Sequence, residues 1–133
     1  PTEVQTAILL PKESYENYFG YYFKYSMRHA MDIATCGCSV NVKLSEDKKN
    51  ITDVRIAYGV AGPVPLRALT AEAAIKERPV DLETIELFSE KVKDDINPRT
   101  SWRATKEFRT HLMTELARRC LIESVRRSGG TFQ

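Results

Sequence analysis

Lys24, Arg28 and Asp32 follow one another at four-residue spacing and bring two cationic donors and one carboxylate into a short stretch of chain. Lysine and arginine on one strand face, followed by an aspartate in a loop, offer donors for a phosphate or a carbonyl. A surface ion cluster needs the same residues, so this reading stays open on composition alone. Cys36 and Cys38 form a C-x-C pair, with Cys120 the third cysteine. In an extended strand both members of the pair point to one face, and no second Cys or His pair at metal-binding spacing accompanies them. They read as core thiols, and the odd number of cysteines argues against a closed disulfide framework. His29 and His111 are the only imidazoles, too few for a histidine-rich metal site; His29 sits in the more suggestive loop, as a candidate general base.

The last part of the chain carries Arg103, Lys106, Arg109, Arg118, Arg119, Arg126 and Arg127, interleaved with Glu107, Glu115 and Glu123. Helical spacing lets these signs pair, which predicts a solvated, self-neutralised face rather than a phosphate-tracking stripe. The net charge of +2, from 20 basic and 18 acidic residues, also gives no strong field for a polyanion. Nucleic acid is therefore not the expected partner. No G-x-G-x-x-G, Walker loop or G-x-S-x-G occurs, so the chain holds neither a self-contained nucleotide cradle nor a serine hydrolase elbow.

These residues need elements to position them. At 133 residues and 42% apolar, the chain suits one domain with one core. No apolar run is long enough for a membrane span and no signal-peptide pattern opens the sequence, which reads as cytoplasmic. Pro1 in place of an initiating Met points to a piece of something longer. Val4, Thr6, Ile8 and Leu10 alternate as a short strand would, with Pro11 ending it. Seven aromatics between Tyr15 and Tyr25 favour a sheet surface. If residues 21–28 are extended, Tyr21, Phe23, Tyr25 and Met27 share one face, and Tyr22, Lys24, Ser26 and Arg28 the other. Ile33 to Leu44 alternates most cleanly, and a charged turn over 46–50 leads to a partner strand with Thr52, Val54, Ile56 and Tyr58 inward.

Gly59 to Leu66 stops the sheet, and three helices follow. Thr70 is expected to cap the first, from Ala71 to about Arg78. Asp81 caps the second, with Leu82, Ile85, Ser89, Val92 and Ile96 on its apolar side. The third starts near Thr105, buries Phe108, Leu112, Met113, Leu116, Cys120, Leu121 and Val125, and ends at Gly129 and Gly130. Strands before helices predict an α+β fold: an antiparallel sheet of three to four strands followed by three helices packed on one face.

Three separated segments carry a family resemblance: FKYSMRHAMDIA from Phe23 to Ala34, AYGVAGPVPLRA from Ala57 to Ala68 with Glu72 after it, and SWRATKEFRTHL from Ser101 to Leu112. In order and spacing the chain resembles, over roughly residues 3–132, the C-terminal domain of the FAD-binding subunit of xanthine dehydrogenase, a module also known from carbon monoxide dehydrogenase flavoproteins. The resemblance implies the flavin part of a molybdenum hydroxylase. There a molybdenum cofactor oxidises the purine, two [2Fe-2S] clusters relay electrons, and FAD passes them to NAD. It implies that the FAD site is shared with a preceding FAD-binding domain, that iron–sulfur and molybdenum-binding subunits are the partners, and that the isolated chain is inactive. The family lysine that reaches the flavin matches Lys24. The loop beside the isoalloxazine matches Tyr25 to Thr35, making Arg28 and Asp32 further cofactor-binding candidates. Gln5 falls near a family backbone contact where leucine is usual, and Met31 stands where relatives carry an acid. The alternative is a subunit-docking module without a part in the redox chemistry.

Overall fold

The computed structural model describes residues 2–132. Its sheet runs β1 (Phe19–Tyr25), β2 (Cys36–Leu44), β3 (Asn50–Gly59) and β4 (Leu66–Arg67) in spatial order, all antiparallel, and the short β5 (Arg78–Pro79) pairs with the start of β3. Three helices, α1 (Leu69–Ile75), α2 (Leu82–Lys91) and α3 (Lys106–Arg127), complete the α+β architecture. The long α3 lies across β1 and β2, and α1 packs on β3, so one sheet face is covered.

Period-two alternation explains β2, where Cys36, Cys38, Val40, Val42 and Leu44 face the helices. In β3 the inward set is Ile51, Val54, Ile56 and Tyr58, which corrects the inward placement of Thr52. A register shift between Lys43 and Leu44 sets Leu44 opposite Ile51 and makes Thr52 the extra residue, with its Oγ1 donating to the Lys43 carbonyl at 3.0 Å. A bulge of this kind turns the face by one residue.

The interior is closed by Phe88, Ile75, Ile85 and the α3 stripe of Leu112, Met113, Leu116, Ala117, Cys120, Leu121 and Val125. Tyr58 is buried to the tip, and its hydroxyl donates to the Met113 carbonyl at 2.7 Å, which removes the cost of an orphaned polar group. Two expected apolar stripes differ in detail. Leu82 is 61% exposed and Phe108 43%, while Phe88 and Thr84 occupy the buried side of α2. Asp81 caps α2 as expected, accepting from the Thr84 amide at 2.8 Å, and Thr105 caps α3 by accepting from the Phe108 amide at 3.2 Å. Helix α1 is shorter than expected and Thr70 is not its cap. Asp95, 25 residues away, accepts from the Thr70 and Ala71 amides at 2.9 and 3.2 Å. Gly129, at φ +83°, turns the chain out of α3.

The expected strand over Val4 to Leu10 does not form. These residues carry no regular structure, and Val4, Ile8, Leu9 and Leu10 are 72–88% exposed. Alternation alone cannot make a strand without a neighbouring edge to pair with. On the uncovered sheet face, Arg55 donates to the Ser14 carbonyl at 3.1 Å and to the Tyr18 hydroxyl at 2.9 Å, and Tyr18 in turn donates to Asp53. This network clamps the chain before β1 onto the hairpin end of the sheet. Burial, then the bond to Asp53, holds the Tyr18 phenol above its ordinary range.

Candidate functional site

The end of β1 and the loop after it bring the predicted trio together on the uncovered side. Lys24 pairs in register with Gly37 and points its ammonium to solvent, where it donates to the Asp32 carbonyl oxygen at 2.5 Å. The absent side chain at Gly37 leaves room for Tyr22, whose hydroxyl would lie 3.1 Å from a Cβ there. Asp32 does different work from that of a free carboxylate. Its Oδ2 accepts from the Arg28 amide at 2.9 Å and its Oδ1 from the Ile33 amide at 2.8 Å, so it staples the loop. Arg28 adds a guanidinium bond to the Met31 carbonyl at 3.2 Å and a longer contact of 3.6 Å to Asp32 Oδ1. Desolvation pushes the Asp32 carboxyl upward, but the Arg28 and Ile33 amides and the Arg28 charge outweigh it and hold the group below its ordinary value.

Beside this loop lies a recess of about 610 Å3 lined by Met27, Arg28, Met31, Asp32, Ile33, Trp102 and Arg103. Its apolar walls are unusually open: Met27, Met31, Ile33 and Trp102 are 63–97% exposed. Arg103 stacks on Trp102 with its guanidinium carbon 4.2 Å from the ring centroid. Apolar side chains rimmed by cations suit the face and the electron-rich edge of a flat heteroaromatic ring. Met31 takes φ +50°, which turns its side chain outward at the tip of the loop. Residue-by-residue reading passes over Trp102 and puts Arg103 in the solvated basic stripe, because both come from a turn almost 70 positions beyond the loop. The signal that could have found them is the single tryptophan of the chain, inside the third resembling segment.

The other candidates separate from this place. Cys36 and Cys38 are fully buried and reduced; burial, with Cys120 nearby, pushes the Cys36 thiol up to about 12, and a bond to Cys120 together with burial raises that of Cys38. His29 and His111 are exposed on separate elements. Among the described residues no group of three His, Cys, Asp or Glu side chains converges for a metal, and no helix is long and apolar enough to cross a membrane. Most of the basic stripe is self-neutralised, with Arg119 on Glu115, Arg127 on Glu123 and Arg118 on Glu86. Arg103, Lys106 and Arg109 have no carboxylate partner among the described residues, and of the three only Arg109 is buried. The solvated reading of that residue is corrected: it is 3% exposed and hydrogen-bonded to the Thr35 carbonyl, because its helical position faces β2.

Comparison with known proteins bears on the family and the fold. The chain is 41% identical over 131 residues to the xanthine dehydrogenase FAD-binding subunit of Escherichia coli O157:H7 and, to the same degree, to the putative xanthine dehydrogenase FAD-binding subunit of Escherichia coli K12. The match covers 98% of this chain and 44% of each relative, so the chain spans less than half their length. Carbon monoxide dehydrogenase from Hydrogenophaga pseudoflava superposes with a TM-score of 0.77 at 24% identity, over 84% of this chain and 38% of that one. Quinoline 2-oxidoreductase from Pseudomonas putida 86 gives 0.76 at 16%, with the same coverage, and both establish the shared fold. Residues 21–124 match the CO dehydrogenase flavoprotein C-terminal domain, and the chain belongs to that family.

Proposed function

We propose that this domain forms one wall of the FAD site in the flavoprotein part of a xanthine dehydrogenase-type molybdenum hydroxylase, with Lys24 as its principal cofactor contact. The observation that carries the reading is the exposed Lys24 ammonium bonded to the carbonyl of Asp32, a residue that lines an open apolar recess, in a chain whose relatives are described as FAD-binding subunits. The residues present fit part of the cofactor. Met27, Met31, Ile33 and Trp102 offer apolar contact for a ring, Arg28 and Arg103 offer positive charge among the lining residues, and Lys24 adds a third cation through its bond to Asp32. No glycine-rich phosphate cradle occurs in the sequence, so the pyrophosphate is held by a separate FAD-binding domain.

Bound there, FAD would take electrons from [2Fe-2S] clusters supplied by one partner subunit, after purine oxidation at a molybdenum cofactor on another, and deliver them to NAD. Lys24 holds negative charge that develops on the ring, in a site where preorganised cations act without reorganising. Arg28 and Asp32 keep the loop in shape around it, and Asp32 fixes Lys24 through its carbonyl. A cytoplasmic location belongs to the same reading.

In the intact enzyme, Lys24→Ala is expected to slow flavin-mediated NAD reduction roughly tenfold or more, while purine oxidation to an artificial acceptor that draws electrons ahead of the flavin is largely kept. Equal loss in the two assays would contradict the assignment. A docking module is the second reading, favoured by the exposed Val4, Ile8, Leu9 and Leu10. Pull-down with the iron–sulfur and molybdenum subunits separates the two: on the docking reading, Lys24→Ala leaves both assays unchanged and substitution of these apolar residues abolishes capture.

A further inference from the structure

Arg109 is 97% removed from solvent, yet no carboxylate partners it among the described residues. Its Nη1 donates to the Thr35 carbonyl at 2.7 Å and its Nη2 to Ser101 Oγ at 3.0 Å, and its Nε is buried with no acceptor. Burying a guanidinium without a counter-charge is costly, and an apolar residue at this helical position would be cheaper for folding alone. The two acceptors explain what the charge does there.

Thr35 closes the first loop of the recess, since its amide donates to the Tyr25 carbonyl at 2.8 Å. Ser101 closes the second segment. It exchanges backbone bonds of 2.9 and 3.2 Å with Ala104, and its Oγ accepts from the Arg103 amide at 3.3 Å. Trp102 and Arg103, carried on that turn, face the recess across from Met27 to Ile33. Phe108, adjacent to Arg109, meets the Tyr25 ring edge-on at 6.3 Å and reinforces the same junction. One planar group thus holds the bases of both walls, 66 positions apart in sequence between Thr35 and Ser101.

We propose that Arg109 is the positioning residue of the recess: it ties the two wall segments into one unit and fixes an uncompensated positive charge at their common base. The wall segments then keep their spacing before any ligand arrives, and the recess favours a planar group that gains negative charge. The first part stands on the geometry alone; the second rests on the flavin reading above. Lysine keeps the charge but lacks the planar fork that spans two acceptors, whereas glutamine loses the charge as well.

Hydrogen exchange read by mass spectrometry on the intact subunit without flavin tests the first part. Arg109→Gln should speed amide exchange about 10-fold in both 26–34 and 100–104 while β2 and β3 stay protected, and Arg109→Lys should do so to a smaller degree. Exchange unchanged in either segment overturns the proposal, and if the Gln variant fails to fold, the Lys variant decides by the same criterion. In the FAD-loaded subunit, the Gln variant should lower the flavin reduction potential and the Lys variant restore it. Equal shifts from both overturn the charge role. FAD that leaves wild-type exchange in 26–34 unchanged would contradict the flavin site, with the flavin-free comparison still deciding for or against Arg109.

Discussion

At the scale of single residues, Lys24 and Asp32 show how differently two charges in one loop are used. The period of two along β1 set Lys24 on the uncovered face, and that placement was legible in the sequence. The role of Asp32 was not, because its partners are backbone amides that no spacing rule identifies. Its carboxyl is held low in the folded protein, so the order it adds is present above the ordinary aspartate range and is lost as pH falls through the lowered value. Exchange in 26–34, taken relative to the intrinsic amide rate at each pH, is therefore expected to stay slow at neutral and mildly acid pH and to accelerate only in strong acid. Asp32→Asn should accelerate it already at pH 7; a variant matching wild type at neutral pH would remove the staple. Arg109 was hidden for another reason. A stripe chosen by hydrophobicity assigns every arginine to solvent, and only the junction of two distant loops shows why this one is buried. The thiols followed the pattern: Cys36 and Cys38 alternate inward, and burial keeps Cys36 protonated. A thiol reagent at pH 8 should label neither until the protein unfolds.

At the scale of elements, local signals succeeded where the partner lies within a few residues and failed where it lies far away. Asp81 and Thr105 cap their own helices through amides three positions on. The cap of α1 instead comes from Asp95, beyond α2, so a search at the helix start finds only Thr70. Asp95→Ala should cost about 1 kcal/mol in denaturant unfolding, as loss of a capping carboxylate usually does; a change within error would show that α1 is held by packing alone. The bulge opposite Thr52 is a second long-range effect, since register across β2 and β3 decides which residue turns inward. Glu72 is a third. Its carboxylate accepts from the Ile56 amide at 3.0 Å and from Arg67 Nε at 2.9 Å, completing the edge of β3 where β4 ends. Val4 to Leu10 alternates without a partner edge, and the period that reads as a strand yields an exposed segment.

At the scale of the whole molecule, strands first and helices after gave the sheet and its covered face directly. What that order leaves uncovered carries the proposed site. The same β1 that packs the half-buried Tyr21 and Tyr25 toward the helices lifts Lys24 to the other side, where it bonds to Asp32 of the recess with open apolar walls. A recess so exposed gives little affinity alone, because most of a bound ring would remain in water. The 133-residue chain by itself is therefore expected not to hold FAD at micromolar concentration in a fluorescence titration, and saturable binding there would mean that the domain carries a complete site. The most direct measurement is the distance from Lys24 Nζ to the isoalloxazine in a crystal structure of the intact, FAD-loaded subunit. A separation of about 3 Å, a hydrogen bond to the ring, is expected. A flavin seated away from this wall, with Lys24 in contact only with solvent and Asp32, would contradict it.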